Sequence, residues 1–404
     1  MTAVRIALLA AAALAAGLPA AAQEVRVYRE GRLAVHEYSG VVAAPVARVR
    51  VESDLGSVRV EAGRDDRVRY RIRVRASSTG EDAARRLEGL VVSASRSGDL
   101  LLFRGMAASP DALEGLSADF DITIPRATPR LEIWTGAGDL TVGGIDAIAS
   151  LTSEAGRISV GDLAGPLEAR TRGGDIEVAR VRAAVRLATS GGSVRVEEAG
   201  GDVEARTSGG DVQIGRVAGR VRAETGAGFV RIESSGGDAV VVTSGGDIDL
   251  GRIEGHVSAA TAGGGIRVAS ARGGAKCETA AGSIVLHAVD GPLRAVTSAG
   301  SIRAAIRGGG LAFSESDLQA LRGDVVVSIP ESIALTVRAL VENSPGRGIR
   351  SDFPLNIVRE AESAGRPLER AEGDIGGGGS ILRIRALGGD IVILRDTGPG
   401  RAER

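Results

Sequence analysis

The sequence lacks most of what a stapled or catalytic domain would need. One cysteine, Cys277, excludes an intramolecular disulfide framework. Aromatic residues make up 2% of the chain, and Trp134 is the single tryptophan, so there is little material for stacking platforms against sugars. The three histidines, His36, His256 and His287, are scattered, which argues against a metal centre or a triad. An excess of one charge is absent too. With 50 Lys+Arg against 51 Asp+Glu the formal net charge is −1, so no overall field draws nucleic acid or anionic lipid. Glycine, by contrast, is abundant, at 59 of 404 residues. It shows no collagen triplet period, and an apolar content of 43% is too high for a disordered chain. A β-rich repeat punctuated by glycine is what remains.

The N-terminus suggests a compartment. Arg5 precedes the apolar run Ile6 to Leu18, and Ala20-Ala21-Ala22 supplies small residues for cleavage. These are the parts of a secretory signal peptide, residues 1–22, cleaved near Ala22. No cysteine stands directly after the run, which argues against a lipid anchor. No later stretch reaches the ~18 to 20 apolar residues of a membrane helix. The expectation is an exported chain starting at Gln23 without a transmembrane segment, located in the periplasm, in the medium or on the cell surface.

A repeat sets the fold. Thr135, Ser153, Thr171, Thr189, Thr207 and Thr225 are spaced by 18, and the series continues through Thr243, Thr261, Thr279 and Thr297. Three residues after each comes glycine, from Gly138 to Gly300. Two further on stands an aliphatic residue (Leu140, Ile158, Ile176, Val194, Val212 and onward), and two beyond that another. Such period-2 alternation after a Gly turn marks a strand. The second half of each repeat echoes the first after nine residues, with Gly165, Gly201, Gly219, Gly237, Gly255, Gly273 and Gly291, and Ala183 as a departure. A nine-residue strand and turn cannot bury its apolar face alone, whereas stacked coils enclose a continuous core. The expected fold is therefore all-β: a single-stranded β-solenoid (β-helix) of about ten 18-residue coils, each two nonapeptide strand-turn units. Glycine at the corners answers to permissive backbone angles and to close approach of coils. The small inward column Ala169, Ala205, Ala223, Ala259, Cys277, Ala295 makes the interior too narrow for a ligand.

The flanks are less regular. Residues 23–134 read as an N-terminal β-rich capping region in which Ser53 to Val60 repeats the coil pattern. That region also holds one short helix, Thr79 to Leu90, with Thr79 and Asp82 as a capping box and Ala84 and Leu87 facing inward. Residues 135–313 are the regular repeat, 314–395 a C-terminal solenoid and capping region, and 396–404 a flexible tail. In the C-terminal region the pattern returns at Gly323-Asp324-Val325 and at Gly389-Asp390-Ile391-Val392-Ile393, and Ser344 to Gly348 and Gly376 to Gly379 read as loops.

Coils such as Thr243-Ser244-Gly245-Gly246-Asp247-Ile248-Asp249-Leu250, the strand Asp121-Ile122-Thr123-Ile124-Pro125 and the closing Gly388-Gly389-Asp390-Ile391-Val392-Ile393 carry a resemblance. They resemble a bacterial exported β-strand-repeat family of unknown function named "putative adhesin" (domain of unknown function forty ninety-seven), across about residues 40 to 395. The resemblance implies the solenoid fold and, through the family's name alone, adhesion. It supplies no functional residues.

Catalytic, cofactor-binding and metal-binding residues are not assigned from the sequence. Nucleophile-elbow, dinucleotide and phosphate-loop motifs are missing. Cys277, in the small inward column, reads as a buried inert thiol. Asp175, Asp211 and Asp247 recur at 36 residues and do not match the spacing of a calcium-binding β-roll. The Thr ladder shares parity with the inward column, so it reads as a hydrogen-bonded corner and not as an ice-binding face. Arg322-Gly323-Asp324 spells an integrin-type tripeptide but coincides with the recurring Gly-Asp turn. The outward columns Glu177, Arg195, Gln213, Arg231, Asp249, Arg267 and Glu168, Arg186, Glu204, Arg222 alternate in sign, which avoids stacked like charges and disfavours polyanion binding. The function expected is a non-enzymatic envelope scaffold or adhesin whose partner is an envelope polysaccharide or protein. The alternative is a carbohydrate-active or ligand-sensing envelope protein.

Overall fold

The computed structural model describes residues 18–19, 23–43, 45–77, 81–308, 314–342, 346, 348–361 and 367–396. Most of the expected signal peptide and the expected tail after Asp396 lie outside the described residues. The chain divides into two compact units, Met1–Gly201 and Asp202–Arg404. Both are all-β, with almost no helix.

In the first unit two sheets grow by parallel addition. Arg130–Thr135, Ile148–Ser153, Leu167–Thr171 and Val185–Ala188 pair in succession in one sheet. Leu140–Gly143, Ile158–Leu163, Ile176–Val181 and Val194–Ala199 do so in the other. The register carries each residue onto the one 18 positions on, as in Leu140, Ile158, Ile176 and Val194, all of them buried. Outward neighbours are polar or half-buried, which is the alternation expected when one face of a sheet lines a core.

The coil read from Ser53 to Val60 is real. Its strands, Arg48–Ser53 and Ser57–Gly63, stack on Arg130–Thr135 and Leu140–Gly143. On their other side they pair with Leu100–Ala107 and Leu116–Pro125. Beyond these, pairing turns antiparallel. Leu90–Ser97 lies against Leu100–Ala107, while Arg67–Ala76, Leu33–Ala43 and Glu24–Glu30 follow Leu116–Pro125 in order. The rings concentrate in this region: Phe103 and Phe120 are fully buried, and Tyr70 meets Phe103 edge-on with centroids 5.1 Å apart. The expected helix is shorter than read, spanning Glu81–Leu87, and Leu90 opens the next strand instead of closing the helix. Thr79 lies outside the described residues. Ala83 and Leu87 are the helical side chains described as buried.

The second unit repeats the pattern. Val203–Thr207, Val221–Thr225, Ala239–Thr243, Val257–Thr261, Ala275–Thr279 and Leu293–Thr297 pair in parallel. So do Val212–Val217, Val230–Ser235, Ile248–Ile253, Ile266–Ala271, Ile284–Val289 and Ile302–Ile306. Ser316–Ala320 and Val325–Pro330 add the next layer, now offset by 23 residues, as in Arg294 on Asp317 and Ile302 on Val325. After this layer, order in space departs from order in sequence. The layer stacked on Ser316–Ala320 and Val325–Pro330 is the last in sequence among the described residues, Ser380–Ala386 and Ile391–Asp396. Leu335–Glu342 and Ile349–Ser351, although earlier in sequence, pair on its far side. Pro367–Ile375 and Asn356–Ala361 then close that sheet in antiparallel fashion.

The corners explain the repeat. A Cβ on Gly264 would overlap the Gly246 carbonyl and stand 2.7 Å from the Asp247 nitrogen, and Gly174 and Gly246 are confined in the same way by the coil before. Their φ angles lie outside the left-handed region. Close approach of backbones is thus what demands glycine here, and permissive angles matter only at exceptions such as Gly138, with φ 141°. Threonine completes the corner. Thr243, Thr261 and Thr279 donate to the carbonyls of Gly228, Gly246 and Gly264 at 2.8–2.9 Å. The same hydroxyls accept from the N–H groups of Gly246, Gly264 and Gly282 at 3.2–3.3 Å. All three threonines are buried. Each hydroxyl therefore satisfies a donor and an acceptor that burial would otherwise leave unpaired. The aspartates after the glycines act one coil further on: Asp175 accepts from Ser193 N–H at 2.8 Å and Asp247 from Gly265 N–H at 2.7 Å.

Candidate functional site

A concavity lies on the outer face of the second unit. The strands Ala275–Thr279, Leu293–Thr297, Ser316–Ala320, Ser380–Ala386 and Leu335–Glu342 lie side by side, with alternate residues pointing outward. One register brings Lys276, Arg294, Asp317, Arg383 and Arg338 into a row. The next outward row holds Glu278, Val296, Gln319, Arg385 and Leu340. The first row, with Gln319 and Arg385 from the second and His256 and Glu315 at the strand entrances, lines a groove of about 620 Å³. Its lining contains five cations, Lys276, Arg294, Arg338, Arg383 and Arg385, against the carboxylates Glu315 and Asp317.

In the described pairings elsewhere in the unit an outward charge faces an opposite or uncharged neighbour, an arrangement seen where Arg231 reaches Asp249 at 3.3 Å. It also works along the strand, as where Arg206 reaches Glu204 at 2.7 Å and Glu224 at 3.2 Å. In the groove it breaks twice. Lys276 stands beside Arg294, and Arg383 beside Arg338. Like charges directly opposite on neighbouring strands repel. Here nearby acids moderate the repulsion. Glu278 lies 3.4 Å from Lys276 and 3.5 Å from Arg294, Asp317 lies 3.6 Å from Arg294, Glu372 lies 2.8 Å from Arg338, and Glu315 pairs with Arg383. The five cations stay about half exposed, so their N–H groups remain accessible to a solute.

Residues singled out in the sequence fall mostly elsewhere. Cys277 points inward directly behind this face, fully buried, and burial pushes its thiol up to about 12, with Glu278 adding to the shift. His256 sits at a corner with Nδ1 3.1 Å from the Gly273 carbonyl, His287 is exposed, and His36 lies half-buried on Leu33–Ala43, where burial lowers its pKa. The three are thus not brought together, and among the described residues no cluster of His, Cys, Asp or Glu could hold a metal. Trp134 is partly exposed on the first unit. In Arg322-Gly323-Asp324 the aspartate is engaged structurally: Asp324 accepts from Asp390 N–H at 2.9 Å. Among the described residues no helix is long and apolar enough to cross a membrane. Sequence reasoning missed the groove. Lys276 and Arg294 share a column at 18-residue spacing and could have been found, but Arg383 and Arg338 meet only through the out-of-order layer.

No family model matches this sequence, and no curated protein matches it. Among solved structures, the chain is similar to a protein from Bacteroides fragilis NCTC 9343 described as a "putative adhesin", at 15% identity and TM-score 0.36, covering 59% of this chain and 98% of that one. A "putative cell adhesion protein" from Clostridium sporogenes ATCC 15579 aligns at 11% identity and TM-score 0.19, covering 89% and 99%. A "putative lipid binding protein" from Parabacteroides distasonis ATCC 8503 aligns at 13% identity and TM-score 0.27, covering 64% and 96%.

Proposed function

We propose that the chain is a non-enzymatic, exported scaffold of the cell envelope that works in adhesion. In this reading its repeats form one β-solenoid of about ten 18-residue coils between a capping region at 23–134 and another at 314–395, after removal of residues 1–22. One observation carries the reading: the recurring polar residues serve the backbone. Threonine hydroxyls bridge successive glycines, and aspartate carboxylates hold the N–H of the next coil. Residues committed in this way build a stiff, repetitive surface and are poorly placed to turn over a substrate. The test has two arms. Cells deleted for the gene lose attachment to coated surfaces and regain it on complementation, while purified protein releases no reducing ends from any polysaccharide. Cleavage abolished by a single carboxylate substitution would overturn the reading. The groove favours a second reading, a ligand-sensing or carbohydrate-active envelope protein, for which binding without a scaffold role is the discriminating result.

A further inference from the structure

We propose that the groove over Lys276, Arg294, Asp317, Arg383 and Arg338 binds an acidic oligosaccharide through two of its carboxylates. The assignment goes beyond the scaffold reading and does not depend on it. Three observations carry it. First, the row holds two cation pairs, Lys276 with Arg294 and Arg383 with Arg338, in which like charges stand directly opposite on neighbouring strands. Their midpoints are three strand steps apart, about 14 Å at the usual strand spacing. A solute that brings an anion to each pair relieves the repulsion within it, and guanidinium groups are shaped to hold carboxylates through paired N–H donors.

Second, Asp317 stands between the pairs and Glu315 at their edge. A polymer with anions at every step would set one of them against Asp317, whereas a sugar chain with carboxylates at intervals sets hydroxyl groups there. Hydroxyls donate to carboxylates, and Gln319 and Asp317, themselves linked by a 2.6 Å hydrogen bond, offer acceptors for them. Third, the groove is a concavity of about 620 Å³, of ligand-binding size. Its described lining contains no Trp, Tyr or Phe, so recognition relies on charge and hydrogen bonds and not on stacking against a ring.

The experiment is titration calorimetry of the full-length mature protein with four probes: an oligouronate long enough to span both pairs, its methyl ester, the monomeric uronate and inorganic polyphosphate. The oligouronate should bind, and the methyl ester and the monomer should each bind at least about tenfold more weakly, since charge-assisted hydrogen bonds are lost. Arg294→Ala and Arg383→Ala should each weaken oligouronate binding about tenfold or more at unchanged melting temperature, and Arg231→Ala, on the other sheet, should leave it unchanged. Asp317→Asn should admit polyphosphate while retaining the oligouronate. Absence of oligouronate binding at millimolar concentration, equal binding of the methyl ester, polyphosphate binding as tightly to the native protein, or full affinity in both arginine variants would each overturn the assignment. The two proposals fail separately. Attachment by cells carrying Arg294→Ala and Arg383→Ala together, with oligouronate binding lost, keeps the scaffold reading and shows that the groove is not its means of adhesion. Oligouronate binding with no attachment phenotype on deletion removes the scaffold reading and keeps the groove.

Discussion

Within the second unit, the coils from Val203 to Ile306 and the layers from Ser316 to Asp396 use the same corner chemistry and differ in how the chain reaches it. In the first stretch Gly264 sits on Gly246, 18 residues back; in the second Gly389 sits on Gly323, 66 residues back. Asp247 accepts from Gly265 N–H, and Asp324 from Asp390 N–H, at nearly equal distances of 2.7 and 2.9 Å. Identical local contacts are thus made once by a short loop and once by a long one. Closing the longer loop costs more chain entropy for the same contacts. The late layers should therefore open more readily than the coils, and a corner defect should have a wider effect in the coils than in the late layers.

The largest effect is expected for Gly264→Val, whose branched side chain would overlap the coil before it. We expect a loss of more than about 3 kcal/mol, against less than about 0.5 kcal/mol for Ser244→Val at an exposed corner position. Comparable melting temperatures for the two would refute close approach as the reason for the glycine column. Gly389→Val creates the same overlap with Gly323. It should accelerate amide exchange across the layers from Ser316 to Asp396 while the strands from Val212 to Ile306 stay protected. Uniform acceleration would mean that the two stretches are one cooperative block. Thr261→Val keeps the shape but removes the hydroxyl between Gly246 and Gly264, and should cost about 1–3 kcal/mol; chemical denaturation reads it directly. Arg222→Glu places like charge beside Glu204 and near Glu224, and should cost about 0.2–1 kcal/mol at low salt, recovered at high salt. Smallest of all, Cys277, its thiol pushed up to about 12, should resist alkylation at neutral pH until the protein unfolds.

Much of this was legible in the sequence. The Thr–Gly–aliphatic columns predict the strands and their stacking because each coil meets the one 18 residues on, and local spacing is what a sequence displays. The reason for the glycines was only half legible: a column of Gly reads alike whether φ or a neighbouring carbonyl demands it. The 36-residue recurrence of Asp175, Asp211 and Asp247 tells in the sequence only against a calcium-binding β-roll, yet these carboxylates, like that of Asp139, hold backbone N–H groups, which no one-dimensional pattern reveals. Least legible was the Ser380–Ala386 layer. Its pattern is that of any coil, so nothing in it marks that it stacks on Ser316–Ala320 ahead of Leu335–Glu342. The groove inherits that obscurity, since three of its five cations, Arg338, Arg383 and Arg385, come from Leu335–Glu342 and Ser380–Ala386.

The inserted layer also bears on how the protein is made. Within the regular 18-residue coils, a parallel coil can add to the one before it as soon as it emerges, so assembly there needs no waiting. The layer Ser316–Ala320 and Val325–Pro330 has no such immediate successor, because its partner, residues 380–396, emerges only after the intervening strands from Leu335 to Ile375. Until then its strand edges present unpaired N–H and C=O groups to any other nascent copy. Residues 380–396 act as a latch that shuts this template, and their removal would leave the layer open to swapping and aggregation.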